Sequence, residues 1–162
     1  MKLCKDQYNN ISYVSENSDG SVPSGFTALS QSEIDSFNLD NAFKSKISEI
    51  DIKTRSLISA GFEYPSASGQ IFSLSDSAQN SLLGLHSAAQ KGGILTYPYL
   101  VSQLDDKNPD VTIADDAEMI TYCQTAFATI SYHINAGKTE KGNLRALYNA
   151  NDITGIKNYK IQ

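Results

Sequence analysis

Residues 55–83, RSLISAGFEYPSASGQIFSLSDSAQNSLL, read as a helix end, a short β-hairpin and a second helix start. Gly61 follows an apolar-periodic run, and glycine is the usual residue just past a helix end because it reaches positive φ without a Cβ clash. Phe62-Glu63-Tyr64 alternates as a strand, and Pro65-Ser66-Ala67-Ser68-Gly69 is a turn tract. Ile71-Phe72 supplies the returning strand, and Ser75 or Asp76 can cap the helix that follows.

Outward from this hairpin the chain reads as helices. A long helix is expected over about 39–60, with Phe43, Ile47, Ile50, Thr54 and Leu57 at 4-3-4-3 spacing. A second over about 76–90 repeats the spacing through Ala78, Leu82, Leu85 and Ala89. A third over about 114–136 carries Ala117, Ile120, Cys123, Phe127, Ile130 and Ile134. Three such stripes can bury one another. Upstream, Ser30-Gln31-Ser32-Glu33 has capping-box spacing, and Ile34 and Phe37 extend it into a short helix. Ile11-Ser12-Tyr13-Val14 is a short strand, Asn17 to Gly20 a turn, and Val22-Pro23 leads to Phe26. That segment has too few apolar positions to fold alone, so it must add to a sheet or dock on a partner. Residues 94–101 are apolar, β-prone and broken by Pro98, the mark of an edge strand or extended arm. The expectation is an α+β fold, mainly helical: a three-helix core with a small β-hairpin and an extended N-terminal β arm. Its parts are a β arm and short helix at 1–38, a helical domain at 39–148 with the hairpin at 62–73, and a tail at 149–162.

A chain of 162 residues with 40% hydrophobic content can bury a modest core. Charged residues make up only 19%, against roughly 25% in soluble domains, and serine and asparagine fill the gap. A net charge of −5 argues against nucleic acid, whose binding needs a basic face. No run approaches the roughly 20 apolar residues of a membrane span. The segment Met1 to Asp6 lacks the apolar core of a signal peptide. Cys4 and Cys123 lie far apart without metal spacing and read as reduced thiols.

No catalytic constellation stands out. Residues 105–118 hold six carboxylates and one lysine, but no glycine, and Asn108-Pro109 breaks the alternation a calcium loop needs. Asp115 and Asp116 are better explained as first-turn residues favoured by the helix dipole. His86 and His133 have no second ligand at helical spacing. Cys123 sits on an apolar stripe as a small hydrophobe. The basic residues of the C-terminal part, Lys138, Lys141, Arg145, Lys157 and Lys160, read as ordinary surface. No metal or cofactor is expected. Aromatic and apolar residues in extended segments are the candidate interface: Tyr13, Phe26, Tyr97, Tyr99 and Leu100.

The pattern carried by Arg55, Leu57, Ile58, Gly61, Phe62, Tyr64, Phe72, Asp76 and Ala78 resembles a domain of unknown function found in bacteriophage tail-fibre and associated tail proteins. Thr112-Ile113-Ala114-Asp115-Asp116-Ala117-Glu118 is similar to that family's next helix start, running to Asn135-Ala136-Gly137. Gly142 to Leu147 matches its final short helix. Val22-Pro23-Ser24-Gly25-Phe26 resembles the opening turn of small tail and fibre-assembly proteins. The resemblance covers most of 20–148, although the family often has a tryptophan in the middle segment and this chain has none. It implies a non-enzymatic virion structural protein of the tail or tail-fibre attachment apparatus, assembled in the host cytoplasm. The partners implied are other tail or fibre proteins, with a homo-oligomer also open. The alternative it leaves is a tail-fibre assembly chaperone.

Overall fold

The computed structural model describes residues 1–105 and 107–162; Asp106, within the acidic stretch, lies outside the described residues. The fold is α+β and mainly helical, with a small antiparallel hairpin and N-terminal strands. In order come β1 (Lys2–Asp6), β2 (Ile11–Val14), β3 (Phe26–Ala28), α1 (Gln31–Ser59), β4 (Phe62–Glu63), β5 (Ile71–Phe72), α2 (Asp76–Lys91), β6 (Tyr99–Val101), β7 (Val111–Ile113), α3 (Asp116–Asn149) and α4 (Ile153–Lys157). Backbone proximity groups these into two units. One holds residues 1–47 and 143–160, the other 48–142 and 161–162, so α1 and α3 each contribute to both.

In the first unit β1 lies between β2 and β3, antiparallel to each. Lys2–Asp6 did not stand out as a strand in the sequence, yet it supplies the buried residues Leu3 and Cys4. The N-terminal segment is therefore a sheet with its own central strand. The Ser30–Glu33 capping box forms as expected. The Ser30 amide donates to Glu33 Oε2 at 2.8 Å, and the Glu33 amide donates to Ser30 Oγ at 3.4 Å. Lys5 of β1 reaches Glu33 Oε1 at 2.7 Å and ties the sheet to the helix start. Elsewhere in this unit the Phe43 and Tyr148 rings meet at a tilt of 45° with centroids 4.7 Å apart, and the Tyr148 hydroxyl donates to Asp40 Oδ1 at 2.5 Å.

The Glu33 cluster has a pH consequence. The Lys5 ammonium, then the Ser30 amide and hydroxyl, hold the Glu33 carboxyl down at about 2, below its ordinary 4.5. A depressed carboxylate contributes stability above its unfolded value and loses it as pH falls through the folded one. Wild-type protein is thus expected to resist urea better than Glu33→Gln at pH 6. That advantage should shrink between about pH 4.5 and pH 2. Equal spacing of the two urea midpoints from pH 6 to pH 2 would show that the ionised cap contributes nothing.

Three expected helix boundaries move. No break separates 31–38 from the long helix: α1 is continuous from Gln31 to Ser59. Helix α3 does not stop near Gly137 but continues to Asn149, absorbing the expected short helix at 142–147. The reason lies at Gly137, which is buried, and where an added Cβ would lie 2.5 Å from Thr54 Oγ1 of α1. Glycine there permits close helix approach and does not end the helix. Finally, the tail forms α4, capped by Asp152, whose Oδ1 accepts from the Gly155 amide at 2.8 Å, and it buries Ile156 completely.

The second unit contains the main core. Phe62, Tyr64, Phe72 and Leu74 from the hairpin region meet Leu82 and Ala89 of α2, Val101 and Ile113 of the β6–β7 pair, and Met119, Tyr122, Cys123 and Ala126 of α3. The α2 stripe matches expectation at Leu82 and Ala89, with Ala78 and Leu85 half-buried. On α3 the core positions are Met119, Tyr122, Cys123 and Ala126, an i, i+3, i+4, i+7 face that includes Cys123 of the expected stripe, and Ile120, Phe127 and Ile130 of that stripe pack against it. Ala117 and Ile134, expected on that stripe, are exposed. On α1 Ile50 is buried, while Leu57 is exposed and its neighbour Ile58 packs on the core.

Candidate interaction surface

The acidic stretch comes to order through hydrogen bonds that begin α3. Asp115 Oδ1 accepts from the Glu118 amide at 2.9 Å, and Glu118 Oε2 accepts from the Ala114 amide at 2.7 Å. This is capping-box chemistry displaced by one residue, since Glu118 reaches the amide before the cap. Asp116 accepts from the Tyr97 hydroxyl at 2.8 Å and from the Gly93 amide at 3.4 Å, fastening the 92–98 segment to the helix start. In the loop, the buried Gln103 donates Nε2 to the Pro109 carbonyl at 2.9 Å. Among the described residues no cluster of three or more His, Cys, Asp or Glu could hold a metal ion.

The remaining reactive side chains are placed among packing residues. Cys4 and Cys123 are unpaired and wholly buried, and burial pushes the Cys123 thiol up to about 11, where it is a poor nucleophile. The His86 ring meets Phe127 edge-on at 5.6 Å, and His133 packs beside Tyr132 at 5.2 Å. These placements do not set a nucleophile beside a base.

The candidate interface residues divide between the units. In the first, Tyr13 of β2 is 68% exposed, and Phe26 of β3 is half-buried. Register pairs Tyr13 with Leu3 and Phe26 with Asp6, so the two side chains leave opposite faces of the sheet. In the second, Tyr97 and Tyr99 pack against the core, and the Tyr97 phenol is pushed up to about 12 by burial and by its bond to Asp116. Leu100, between Tyr99 and the buried Val101, points outward and is 59% exposed. Tyr13 and Leu100 are therefore the two candidates whose side chains are presented to solvent.

Sequence reasoning missed a further apolar position. Leu83 of α2 is 59% exposed and borders a groove of about 230 Å³ with Gln79, Phe127, Ile130 and Ser131. The signal was the second leucine of the Leu82-Leu83 pair, which falls outside the 78, 82, 85, 89 stripe because consecutive helical residues point about 100° apart. Among the described residues, no helix is long and apolar enough to cross a membrane. Comparison with protein-family models, curated proteins and solved structures finds no match to this chain.

Proposed function

We propose that this chain is a non-enzymatic structural component of a bacteriophage virion, in the tail or tail-fibre attachment apparatus, that works by holding neighbouring subunits. The observation that carries the subunit-contact reading is the exposure of large apolar side chains at strand positions, Tyr13 at 68% and Leu100 at 59%. Strands present such residues in a fixed direction, which suits a rigid contact better than a flexible loop would. The carboxylates at 115, 116 and 118 are meanwhile used as helix caps and fasteners. The phage context is supported by the resemblance of residues 55–83 and 112–118 to the tail-protein pattern.

The test is quantitative mass spectrometry of virions purified from a culture that makes this chain, with tail proteins of known copy number as internal standards. A fixed whole-number ratio to those proteins, retained after high-salt washing, is the expected result. Presence in the lysate with fibre proteins but absence from finished particles would replace this reading with the assembly chaperone. Absence from both fractions would overturn the phage reading altogether.

A further inference from the structure

The β1–β2 turn reveals which way the backbone of the edge strand faces. The Asp6 amide donates to the Asn10 carbonyl at 3.1 Å, and the Asn9 amide to the Asp6 carbonyl at 3.0 Å, with Asn9 at φ +63°. This is a three-residue loop closed by a G1-type bulge, and it makes the Asp6–Asn10 position a hydrogen-bonded pair. Antiparallel pairs alternate between bonded and non-bonded. Register Lys5↔Ile11, Cys4↔Ser12, Leu3↔Tyr13 therefore leaves Ile11 and Tyr13 in non-bonded pairs. Their N–H and C=O groups point away from β1. The other side of the sheet agrees: the Leu29 amide donates to the Leu3 carbonyl at 3.1 Å, so Leu3 turns its backbone toward β3 and away from Tyr13.

β2 thus presents two residues with outward donors and acceptors, and within the described residues nothing hydrogen-bonds them. β3, the other edge, offers less, because its Phe26 amide is taken by the Pro23 carbonyl at 3.2 Å. Exposed edges are usually guarded by charge, proline or short length. The β2 sequence Ile-Ser-Tyr-Val has neither charge nor proline.

We propose that β2 pairs antiparallel with β2 of a second copy across a two-fold axis through Ser12, joining two three-stranded sheets into one of six. In this register Ile11 opposes Tyr13 of the second copy and the reverse. Both are bonded pairs, each exchanging its two N–H···O=C bonds, and the outward groups are all used. Ile11 and Tyr13 also share one face, so each pair sets an aromatic ring against a β-branched side chain, a favoured cross-strand combination. A shift of one residue would set outward groups against inward ones, and a shift of two would keep only one of the two bonded pairs within 11–14, so the register through Ser12 uses the most hydrogen bonds. On a chain of net charge −5, this uncharged strip is also where two copies meet with least repulsion. The contact is small beside the roughly 800 Å² per partner of a standard interface, so the association is weak and concentration-dependent. The inference rests on the sheet alone and stands apart from the proposed function.

Residue 12 is the only position that opposes itself, and that gives the test. Ser12 is exposed, so both Ser12→Lys and Ser12→Glu are tolerated by the monomer. Sedimentation equilibrium of the full chain from about 20 μM to about 1 mM should show wild-type mass rising from 17.6 kDa toward twice that value. Each charged variant alone should remain monomeric, because like charges face each other on the axis. An equimolar mixture of the two should regain the dimer. Tyr13→Pro removes an outward N–H without touching the β1 ladder, and it should be monomeric with an unchanged circular dichroism spectrum. Wild type that stays monomeric at 1 mM, single-charge variants that dimerise like wild type, or a mixture that does not dimerise would each overturn the proposal.

Discussion

Gly61→Ala is expected to destabilise the protein by about 2–5 kcal/mol, the sum of a left-handed backbone cost of about 1–2 and an overpacking cost of about 1–3. Gly61 closes α1, its amide donating to the Ile58 carbonyl at 3.0 Å, and it takes φ +91° to turn the chain into β4. A Cβ at this position would fall on the Phe72 carbonyl oxygen and 2.9 Å from Ile71 Cγ2. The obstruction is the backbone of β5, which cannot move without parting from its β4 partner. Gly69 separates the two contributions. It has φ +75° in the same hairpin's turn, with nothing within 4 Å of an added Cβ, so Gly69→Ala meets only the conformational cost. Gly61→Asn is the complementary control, because asparagine tolerates positive φ yet carries the offending Cβ. Urea midpoints should fall in the order wild type, Gly69→Ala, Gly61→Asn, Gly61→Ala. Equal midpoints for Gly61→Ala and Gly69→Ala would mean that the close approach to β5 does not matter.

The hairpin was legible in the sequence because its punctuation is local. Gly61, the turn tract at 65–69 and the Ser75 cap each act within a few residues, and each forms as read, with the Ala78 amide bonding Ser75 Oγ at 3.3 Å. Boundaries set by distant contacts were not legible. Gly137 looks like a helix stop, but its role is decided by Thr54, more than eighty positions away in the chain. Strand β1 was hidden for a similar reason. Leu3 and Cys4 are adjacent and both buried, so no alternation marks them, and a central strand covered on both faces lacks the period-two signature. The α3 face is wider than the expected stripe because periodicity fixes the spacing of a face but not its width: Met119, Tyr122 and Ala126 join Cys123 in the core, while Ile120, Phe127 and Ile130 pack at its margin.

The interaction surface was partly legible for a related reason. Tyrosine flanking proline marks an extended segment, but the sequence does not say which side of it faces the core. Tyr97 and Tyr99 turn inward, one fixed by Asp116 and the other by the core, whereas Leu100 turns out. Alternation along β6 makes that outcome a matter of parity, and parity is set by pairing Tyr99 with the buried Ile113. The outward backbone of β2 is likewise a property of register, invisible until the Asp6–Asn10 bond is known.

Tyr122→Ala should have the other large effect, about 3–5 kcal/mol, as for truncation of a buried aromatic. Tyr122 is 6% exposed and lies at the meeting point of three rings from the hairpin. Its centroid is 5.0 Å from Phe62, and it meets Tyr64 and Phe72 edge-on, each at 5.2 Å. Among the described residues no other ring touches all three, so its loss opens a cavity that hairpin and helix must close together. The phenol contributes differently from the ring. Burial pushes its ionisation well above the ordinary value near 10, so the neutral form is the one the fold favours. A group raised in this way contributes stability below its unfolded value and loses it as pH rises toward the folded one. Tyr122→Phe keeps the ring and removes the ionisable group, and it should stay within about 1 kcal/mol of wild type at neutral pH. Above pH 10 it should unfold later than wild type, because one fewer buried phenol drives the chain apart. Hydrogen exchange reads the local consequence of the alanine variant. The amides of β4 and β5 should lose protection first, since the hairpin is held to α3 through this ring. Hairpin amides that keep wild-type protection in Tyr122→Ala would show that the hairpin is anchored elsewhere, through Leu74 or through the Leu104 amide bonded to the Ile71 carbonyl at 2.7 Å.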